Sequence, residues 1–240
     1  APSSVGVAVE PESYRLAGIN AKTRLQATVP GSSEALLVLA TADGTVQKSR
    51  RVTADTNGHF DEELDPGNSV EHTALMYPIL RDARVPDGWD GLDDHRDRLL
   101  AAFGQAGSAP GFRGLINPLG SIAQFPPANL RFVPTSPRFR TELEVYLSRK
   151  YGSQKRLEQA WSIQAPDFTS IAQITRLVPL WSPKRGINAY WDRSSNQIYT
   201  AISRSSQAWD DIQTVFNIAV RRRMINLCQA LQLRLGVPVI

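Results

Sequence analysis

Residues 139–161, FRTELEVYLSRKYGSQKRLEQAW, hold the pattern that decides how most of this chain is interpreted. Apolar residues recur at helical spacing in its first half, and just before it Ser136 suits an N-cap and Pro137 the first helical turn. Gly152 is placed to end this helix, and the residue after it begins a shorter one. The stretch therefore predicts two helices joined by a turn at Gly152.

Residues 1–68 carry the alternation and the turn signals of an all-β domain. Asp43-Gly44 and Asn57-Gly58 are tight-turn signals, since both residue pairs favour positive φ. Two of the candidate strands alternate with a period of two, and the third is a continuous apolar run, as in a sandwich core. These strands are Ser4–Val9, Thr23–Val29 and Leu36–Ala40. We expect residues 1–68 to form a small immunoglobulin-like β-sandwich domain.

From residue 69 onward, strand-like and helical stretches alternate. Thr73–Leu80 and Phe112–Asn117 are strand-like, with a helix between them. Asn188–Trp191 and Gln197–Thr200 predict a hairpin, and the apolar stripe of residues 207–235 predicts a long amphipathic helix. Val237–Ile240 is an apolar run directly after that helix, where an α/β protein starts its next parallel strand. Residues 69–240 therefore form the second predicted domain, of the α/β class.

The composition of the chain argues against several classes of function. The apolar fraction is 42% and the net charge +4, a mild excess that is spread along the chain and is not typical of a nucleic-acid-binding surface. Its apolar runs are far shorter than the ~20 residues of a membrane-spanning helix, so we expect no membrane partner. The single Cys228 and the three histidines predict neither a disulfide framework nor a metal site, and no cofactor motif is present. The start at Ala1-Pro2 fits either a mature end left by signal cleavage, in a secreted or periplasmic protein, or an arbitrary boundary.

Phe139–Trp161 resembles a segment of the bacterial β-galactosidases of glycoside hydrolase family 42 and their relatives. In that family a helix ending in Lys-Tyr-Gly precedes a Leu-x-x-Ala-Trp helix, as Lys150-Tyr151-Gly152 precedes the sequence that ends at Trp161 here. Weaker similarities extend the resemblance over residues 112–240, with Trp209–Phe216 similar to the start of the next barrel helix. The alternative is two generic amphipathic helices around a glycine.

The resemblance implies a (β/α)8 barrel with sugar bound at the C-terminal ends of its strands. It also implies two catalytic carboxylates, as in retaining glycosidases. The fold expected from sequence is therefore α/β plus β: the sandwich, followed by a partial or divergent (β/α)8 TIM-barrel-like region. This chain departs from the family at Asn117-Pro118, where the family has Asn-Glu, and the second family Glu would fall beyond Ile240.

Three functions follow as hypotheses. The first is a glycoside hydrolase that acts on or binds a β-galactoside-like glycan, as part of a longer chain or a homo-oligomer. The second is a non-catalytic carbohydrate-binding or scaffold module, with an oligosaccharide or polysaccharide as ligand. The third is an interaction module that contains a sandwich and has no role with sugars.

The candidate site residues come from the predicted strand ends and loops. Asp82 follows the first barrel-like strand and is the candidate catalytic residue, with Trp89 beside it at the sugar-facing rim; the alternative is a solvated loop. Asn117 ends the second strand and is a candidate for binding substrate. Trp181 and Trp191 are candidates for stacking on a sugar, and the alternative is that they anchor their loop to the core.

Overall fold

A computed structural model describes residues 6–8, 12–16, 22–29, 32–41, 45–65, 72–80, 92–105, 109–116, 132–164, 168–182, 186–201 and 207–239. Eleven strands are assigned in these ranges: β1 (Gly6–Ala8), β2 (Glu12–Leu16), β3 (Thr23–Thr28), β4 (Glu34–Thr41), β5 (Val46–Thr53), β6 (His59–Leu64), β7 (His72–Leu80), β8 (Phe132–Pro134), β9 (Leu177–Ser182), β10 (Gly186–Asp192) and β11 (Gln197–Thr200). The helices are α1 (Leu92–Phe103), α2 (Pro137–Tyr151), α3 (Gln154–Ala160), α4 (Ile171–Ile174) and α5 (Gln207–Leu235). None of these helices is long and apolar enough to cross a membrane.

The largest sheet is antiparallel and is built around β7. Its order is β5-β4-β7-β1-β8, and β2 also pairs with β7. β1 pairs with the C-terminal end of β7, and β2 pairs with the N-terminal half of β7. In this sheet Leu37 lies opposite Met76 and Leu36 lies opposite Tyr77. Two smaller antiparallel sheets, β3-β6 and β9-β10-β11, pack against it.

The central sheet is buried on both faces because β4 and β7 are apolar at successive positions. Side chains alternate between the two faces of a strand, so Leu37 and Met76 face the β3-β6 sheet. Leu36 and Tyr77 face the other side, toward the helices. We call the first cluster the sandwich core and the second the helix-side core. Burial on both sides explains why the sequence of β4 is a continuous apolar run.

The helix-side core joins the sheet to α2, α3, α5 and β9-β10. Phe139, Leu143 and Leu147 form the buried face of α2, and Ile212 and Phe216 belong to α5. The predicted caps are confirmed. Ser136 Oγ accepts the Phe139 N–H, and Gly152 ends α2 in the left-handed conformation at φ 72°. The hairpin predicted around residues 192–196 is also confirmed, as β10 and β11.

A third cluster lies between α1 and α5. Leu99, Leu100 and Phe103 pack there against Leu227 and Leu231. Beside it the Leu115 N–H donates to the Pro238 carbonyl at 3.0 Å, and Leu115 forms an isolated parallel bridge with Val239. Gly114 permits this approach, since a Cβ there would lie 2.6 Å from the Pro238 oxygen.

The prediction of a TIM-barrel-like region is wrong. Thr73–Leu80, predicted as the first barrel strand, lies within β7 and pairs antiparallel with β4 and β2. Phe112–Asn117 and Val237–Ile240 were predicted as further barrel strands, and their described residues, 112–116 and 237–239, contribute only the bridge between Leu115 and Val239. The paired strands of the described residues form small antiparallel sheets, and with five helices they make a mixed α/β fold without a (β/α)8 pattern. An apolar strand looks the same in sequence whether it lies in a barrel or in a buried antiparallel sheet, which is why the sequence misled.

Candidate functional site

A cavity of about 250 Å³ lies where the start of α2, the turn between α4 and β9, and the β10-β11 turn meet. We call it the arginine cavity, because each of these three places contributes one arginine: Arg140, Arg176 and Arg193. The rest of its described lining combines hydroxyl-bearing and apolar residues, namely Thr135, Thr175, Ser194, Val133, Pro134, Leu177 and Val178.

Arg140 is the most unusual of the three. It lies in the first turn of α2, next to Phe139, whose side chain is fully buried in the helix-side core. The Nε of Arg140 is itself buried and has no hydrogen-bond partner. A buried donor without a partner costs about 1–3 kcal/mol, and more when it belongs to a charged group.

Arg176 is brought to the cavity by the short helix α4. The Arg176 N–H donates to the Gln173 carbonyl at 3.2 Å, and the preceding Thr175 is buried with its hydroxyl bound to the Ala172 carbonyl at 2.7 Å. These bonds fix the turn in which Arg176 leaves the helix. The Arg176 side chain is exposed, so its guanidinium can be reached from solvent.

Arg193 sits in the turn between β10 and β11. Asp192 is buried, and its Oδ1 accepts the backbone N–H of Ser194 at 2.8 Å and its hydroxyl at 2.6 Å. On the far side of the turn, Trp191 Nε1 donates to Asn196 Oδ1 at 3.0 Å. These bonds hold the backbone on both sides of Arg193 in one conformation.

The local field of α2 adds to the positive charge of the cavity. Thr135 directly precedes the Ser136 cap, so this part of the lining lies at the N-terminal end of a 15-residue helix. The partial positive charge of such a helix end favours anions by about 0.3–1 kcal/mol. The helix end and the three guanidinium groups therefore act in the same direction.

A second polar cluster lies at the C-terminal end of α2 and is closed to ligands. Asp211 of α5 is fully buried, and its carboxylate accepts hydrogen bonds from Lys150 Nζ at 2.6 Å, Tyr151 Oη at 2.7 Å and Trp161 Nε1 at 2.9 Å. Gln207 Nε2 donates a fourth, longer bond at 3.2 Å. We call this set the Asp211 cluster. A carboxylate held by four donors and shielded from solvent has a structural role rather than that of a nucleophile.

The ionisation of the donors follows from this arrangement. The hydrogen bond to Asp211 raises the pKa of Lys150 above its usual value. Burial, followed by the hydrogen bond to Asp211, raises the pKa of Tyr151. Lys150 therefore stays charged and Tyr151 stays neutral at neutral pH, which are the forms that donate to a carboxylate.

Glu158 on α3 is a partly buried carboxyl group. Its Oε1 is buried without a hydrogen-bond partner, and burial raises its pKa above the usual value. Glu158 is not among the residues that line the arginine cavity. A single such carboxyl is not the pair that retaining glycoside hydrolysis requires.

The site residues expected from sequence fall into two groups. Asp82, Trp89 and Asn117 lie outside the described residues. Trp191 is completely buried, and Trp181 is partly buried against the helix-side core, with its carbonyl accepting the hydroxyl of Tyr77 at 3.1 Å. A ring with no exposed face cannot stack on a sugar, so the placement of Trp191 favours the alternative in which it anchors its loop.

The arginines of the cavity were not singled out in the sequence. Arg140 belongs to the stretch that carries the family resemblance and Arg193 to the turn of the predicted hairpin, but neither pattern marks an arginine for binding. Only the assembly of the helix-side core, to which α2, β9 and β10 all contribute, brings the three together. In the described part of the chain, no group of three or more His, Cys, Asp or Glu side chains could hold a metal ion.

Comparison with known proteins adds no relative. The chain was compared with protein-family models, curated proteins and solved structures, and it matches none of them.

Proposed function

We propose that this chain binds a small anionic ligand in the arginine cavity. The observation that carries the proposal is the convergence of Arg140, Arg176 and Arg193, from three separate elements, on one cavity of about 250 Å³. Arginine presents planar pairs of N–H donors that match carboxylate, sulfate and phosphate oxygens. No Asp or Glu is among the described residues of the lining.

The physical basis is the repulsion between the arginines. Bringing like charges to one partly buried place is unfavourable, and Arg140 also keeps a buried N–H without an acceptor. An anion in the cavity supplies the opposite charge. Hydrogen bonds between charged groups are about twice as strong as neutral ones, so a few of them suffice for measurable binding.

Isothermal titration with inorganic phosphate and with sulfate tests this proposal. We expect binding to the unaltered protein, and at least tenfold weaker binding, or about 1.4 kcal/mol, in Arg140→Gln and in Arg176→Gln. Arg221→Gln is the matched control, since Arg221 is an exposed arginine of α5 that does not line the cavity. Absence of binding by either anion, or equal binding by all three variants, would show that the cavity is not an anion site.

A role with glycans is the second candidate, favoured by the Asp211 cluster. Lys150, Tyr151 and Trp161 belong to residues 139–161, which resemble a segment of the family 42 β-galactosidases. Asp211 belongs to residues 209–216, which are similar to the start of the next barrel helix in that family. Their mutual hydrogen bonds join the two stretches that carry the resemblance into one unit. In this candidate the chain binds a β-galactoside-like glycan, or helps to hydrolyse it as part of a larger secreted or periplasmic protein.

Two measurements test the glycan role. A chromogenic β-galactoside assay on the full-length gene product tests hydrolysis, and no turnover would exclude it. Titration with galactan and glucan oligosaccharides tests binding without catalysis. Absence of heat with all of them would exclude the carbohydrate-binding module, whereas the anion-binding proposal would be unaffected.

A further inference from the structure

We infer that the outer seam between α2 and α5 is a docking surface for an acidic amphipathic helix of a partner protein, independently of the anion-binding proposal. Among the described residues five large apolar side chains are exposed, and three of them belong to this seam. They are Val145 of α2, 46% exposed, and Ile218 and Ile225 of α5, 54% and 46% exposed. We call these three residues the seam patch. Apolar residues scattered singly over a surface need no explanation, whereas a group of them marks an interaction site.

Contacts at two levels place Val145 beside Ile218. The Asp211 cluster joins the end of α2 to the first turns of α5. About three turns further along α5, Arg222 bonds to Glu142 near the start of α2 at 2.7 Å, so the two helices are antiparallel. Val145 lies one turn after Glu142 on α2. Ile218 lies one turn before Arg222 on α5, which is the same direction in an antiparallel pair. The two side chains therefore lie next to each other across the seam.

Ile225 extends the seam patch along α5. It follows Ile218 by seven residues, that is, by about two turns or 10.5 Å of helix. Phe216 and Ala219, which face the helix-side core, are buried, so the exposed isoleucines lie on the outer side of α5. Anchors one heptad apart are typical of contacts made by an amphipathic helix. A third helix can pack along the line between two antiparallel helices, as in a helix bundle.

The charge of the two helices defines the chemistry of the partner. Together α2 and α5 have eight Arg or Lys residues and four Asp or Glu residues, an excess of four positive charges. Arg222 bonds to Glu142 and Lys150 bonds to Asp211, and these pairs remove equal numbers of each sign. The net charge of the whole chain is also +4, so the remainder of the chain is balanced. A partner with acidic residues beside its apolar anchors is therefore complementary to these helices.

Two other occupants fit this surface less well. A second copy of this chain, related by two-fold symmetry, would bring the same arginines face to face, and like charges across an interface are unfavourable. A membrane surface binds helices with a broad apolar face rich in Trp, Phe and Leu. Here Arg222 lies between Ile218 and Ile225 on the same side of α5, so the apolar face is narrow and interrupted.

Fluorescence anisotropy with labelled peptides tests the inference. The acidic probe is a helical peptide of about three heptads, with leucine at its a and d positions and glutamate on its outer face. In the basic probe lysine replaces each glutamate, and in the polar probe glutamine replaces each leucine. We expect the acidic probe to bind the unaltered protein at least tenfold more tightly than either of the other two.

Variants of the protein locate the binding site. The double variant Ile218→Gln/Ile225→Gln should bind the acidic probe at least tenfold more weakly. Ile116→Gln is the matched control and should bind it as the unaltered protein does, since Ile116 is 84% exposed and lies outside both helices. Both isoleucines of the double variant are exposed, so we expect its far-ultraviolet circular dichroism to be unchanged.

The outcomes that overturn the inference are distinct. Equal binding of the acidic probe and either of the other probes would overturn it, and so would full binding by the double variant. Sedimentation with phosphatidylserine vesicles, and of the protein alone, covers the other occupants. Vesicle binding, or a dimer, that the double variant loses while no peptide binds would overturn the inference and assign the seam patch to a membrane or to a second copy.

Discussion

Trp161 Nε1 donates a 2.9 Å hydrogen bond to Oδ2 of Asp211, a residue 50 positions further along the chain. The same oxygen accepts the hydroxyl of Tyr151, and the other oxygen accepts Lys150. One carboxylate on α5 therefore ties together the end of α2 and the end of α3. This relationship fixes the helical layer that lies against the central sheet, and with it the start of α2 at the arginine cavity.

Replacing Asp211 with alanine should destabilise the fold by about 3 kcal/mol. Breaking a buried ion pair costs about 3–5 kcal/mol, and the value lies at the lower end because the Lys150 side chain is 37% exposed and partly screened. The measurement is urea unfolding followed by circular dichroism. Asp210→Ala is the control, since this exposed residue of the first turn should cost less than about 1 kcal/mol. Equal effects of the two substitutions would mean that the cluster does not stabilise the fold.

Alkaline pH should destabilise the protein. Burial raises the pKa of Tyr77 and of Tyr190 above the ordinary value of 10.0, and the pKa of Tyr151 is raised in the same direction. A group whose folded pKa is raised contributes its full stability below the unfolded pKa and loses it as the pH rises through the folded pKa. The loss should therefore begin near pH 10. Urea midpoints measured at about pH 8, 10 and 11 check this.

Tyr77→Phe supplies the control for the alkaline effect. The variant keeps the buried ring but has no group to ionise, so its stability should fall less between about pH 10 and pH 11. In the unaltered protein the near-ultraviolet absorbance of tyrosinate from buried residues should appear only together with unfolding. Complete tyrosine ionisation in the folded state would contradict the burial of these hydroxyls.

Gly152→Ala should cost about 1 kcal/mol. Gly152 has φ 72°, where a Cβ is strained, while no atom lies within 4 Å of the position a Cβ would take. The cost is therefore that of the backbone conformation alone, about 1–2 kcal/mol for a residue with a side chain. Gly152→Asn should cost less, since asparagine tolerates this conformation. Thermal unfolding of both variants measures the difference, and an equal loss in the two would point to steric contact instead.

The parts of this fold that sequence predicts well are those determined locally. The Ser136 cap, the Gly152 end and the long helix over residues 207–235 all follow from short-range chemistry, and all three are confirmed. Which strand pairs with β7 is not determined by the local sequence. Its apolar run fits a barrel strand as well as the centre of an antiparallel sheet, and only the pairing with β4 distinguishes them.

The arginine cavity could not be predicted for the same reason. Arg140, Arg176 and Arg193 belong to three elements, and each alone is an ordinary arginine in a chain rich in that residue. They come together only when the helix-side core assembles. The Asp211 cluster could be predicted in part. The family resemblance draws attention to residues 139–161 and 209–216, but the sequence does not show that the two stretches contact each other.

Leu36→Ala and Leu37→Ala together test whether the sheet unites the chain or belongs to a separate domain of residues 1–68. The two neighbours are 0% and 2% exposed and face the helix-side core and the sandwich core respectively. Each substitution should cost about 2–5 kcal/mol through the lost contacts and the cavity left behind. Since β4 and β7 serve both cores, both variants should lower the midpoint of one cooperative transition. Calorimetry measures this. Two transitions, with the Leu37 variant shifting only one, would instead establish residues 1–68 as an independent domain.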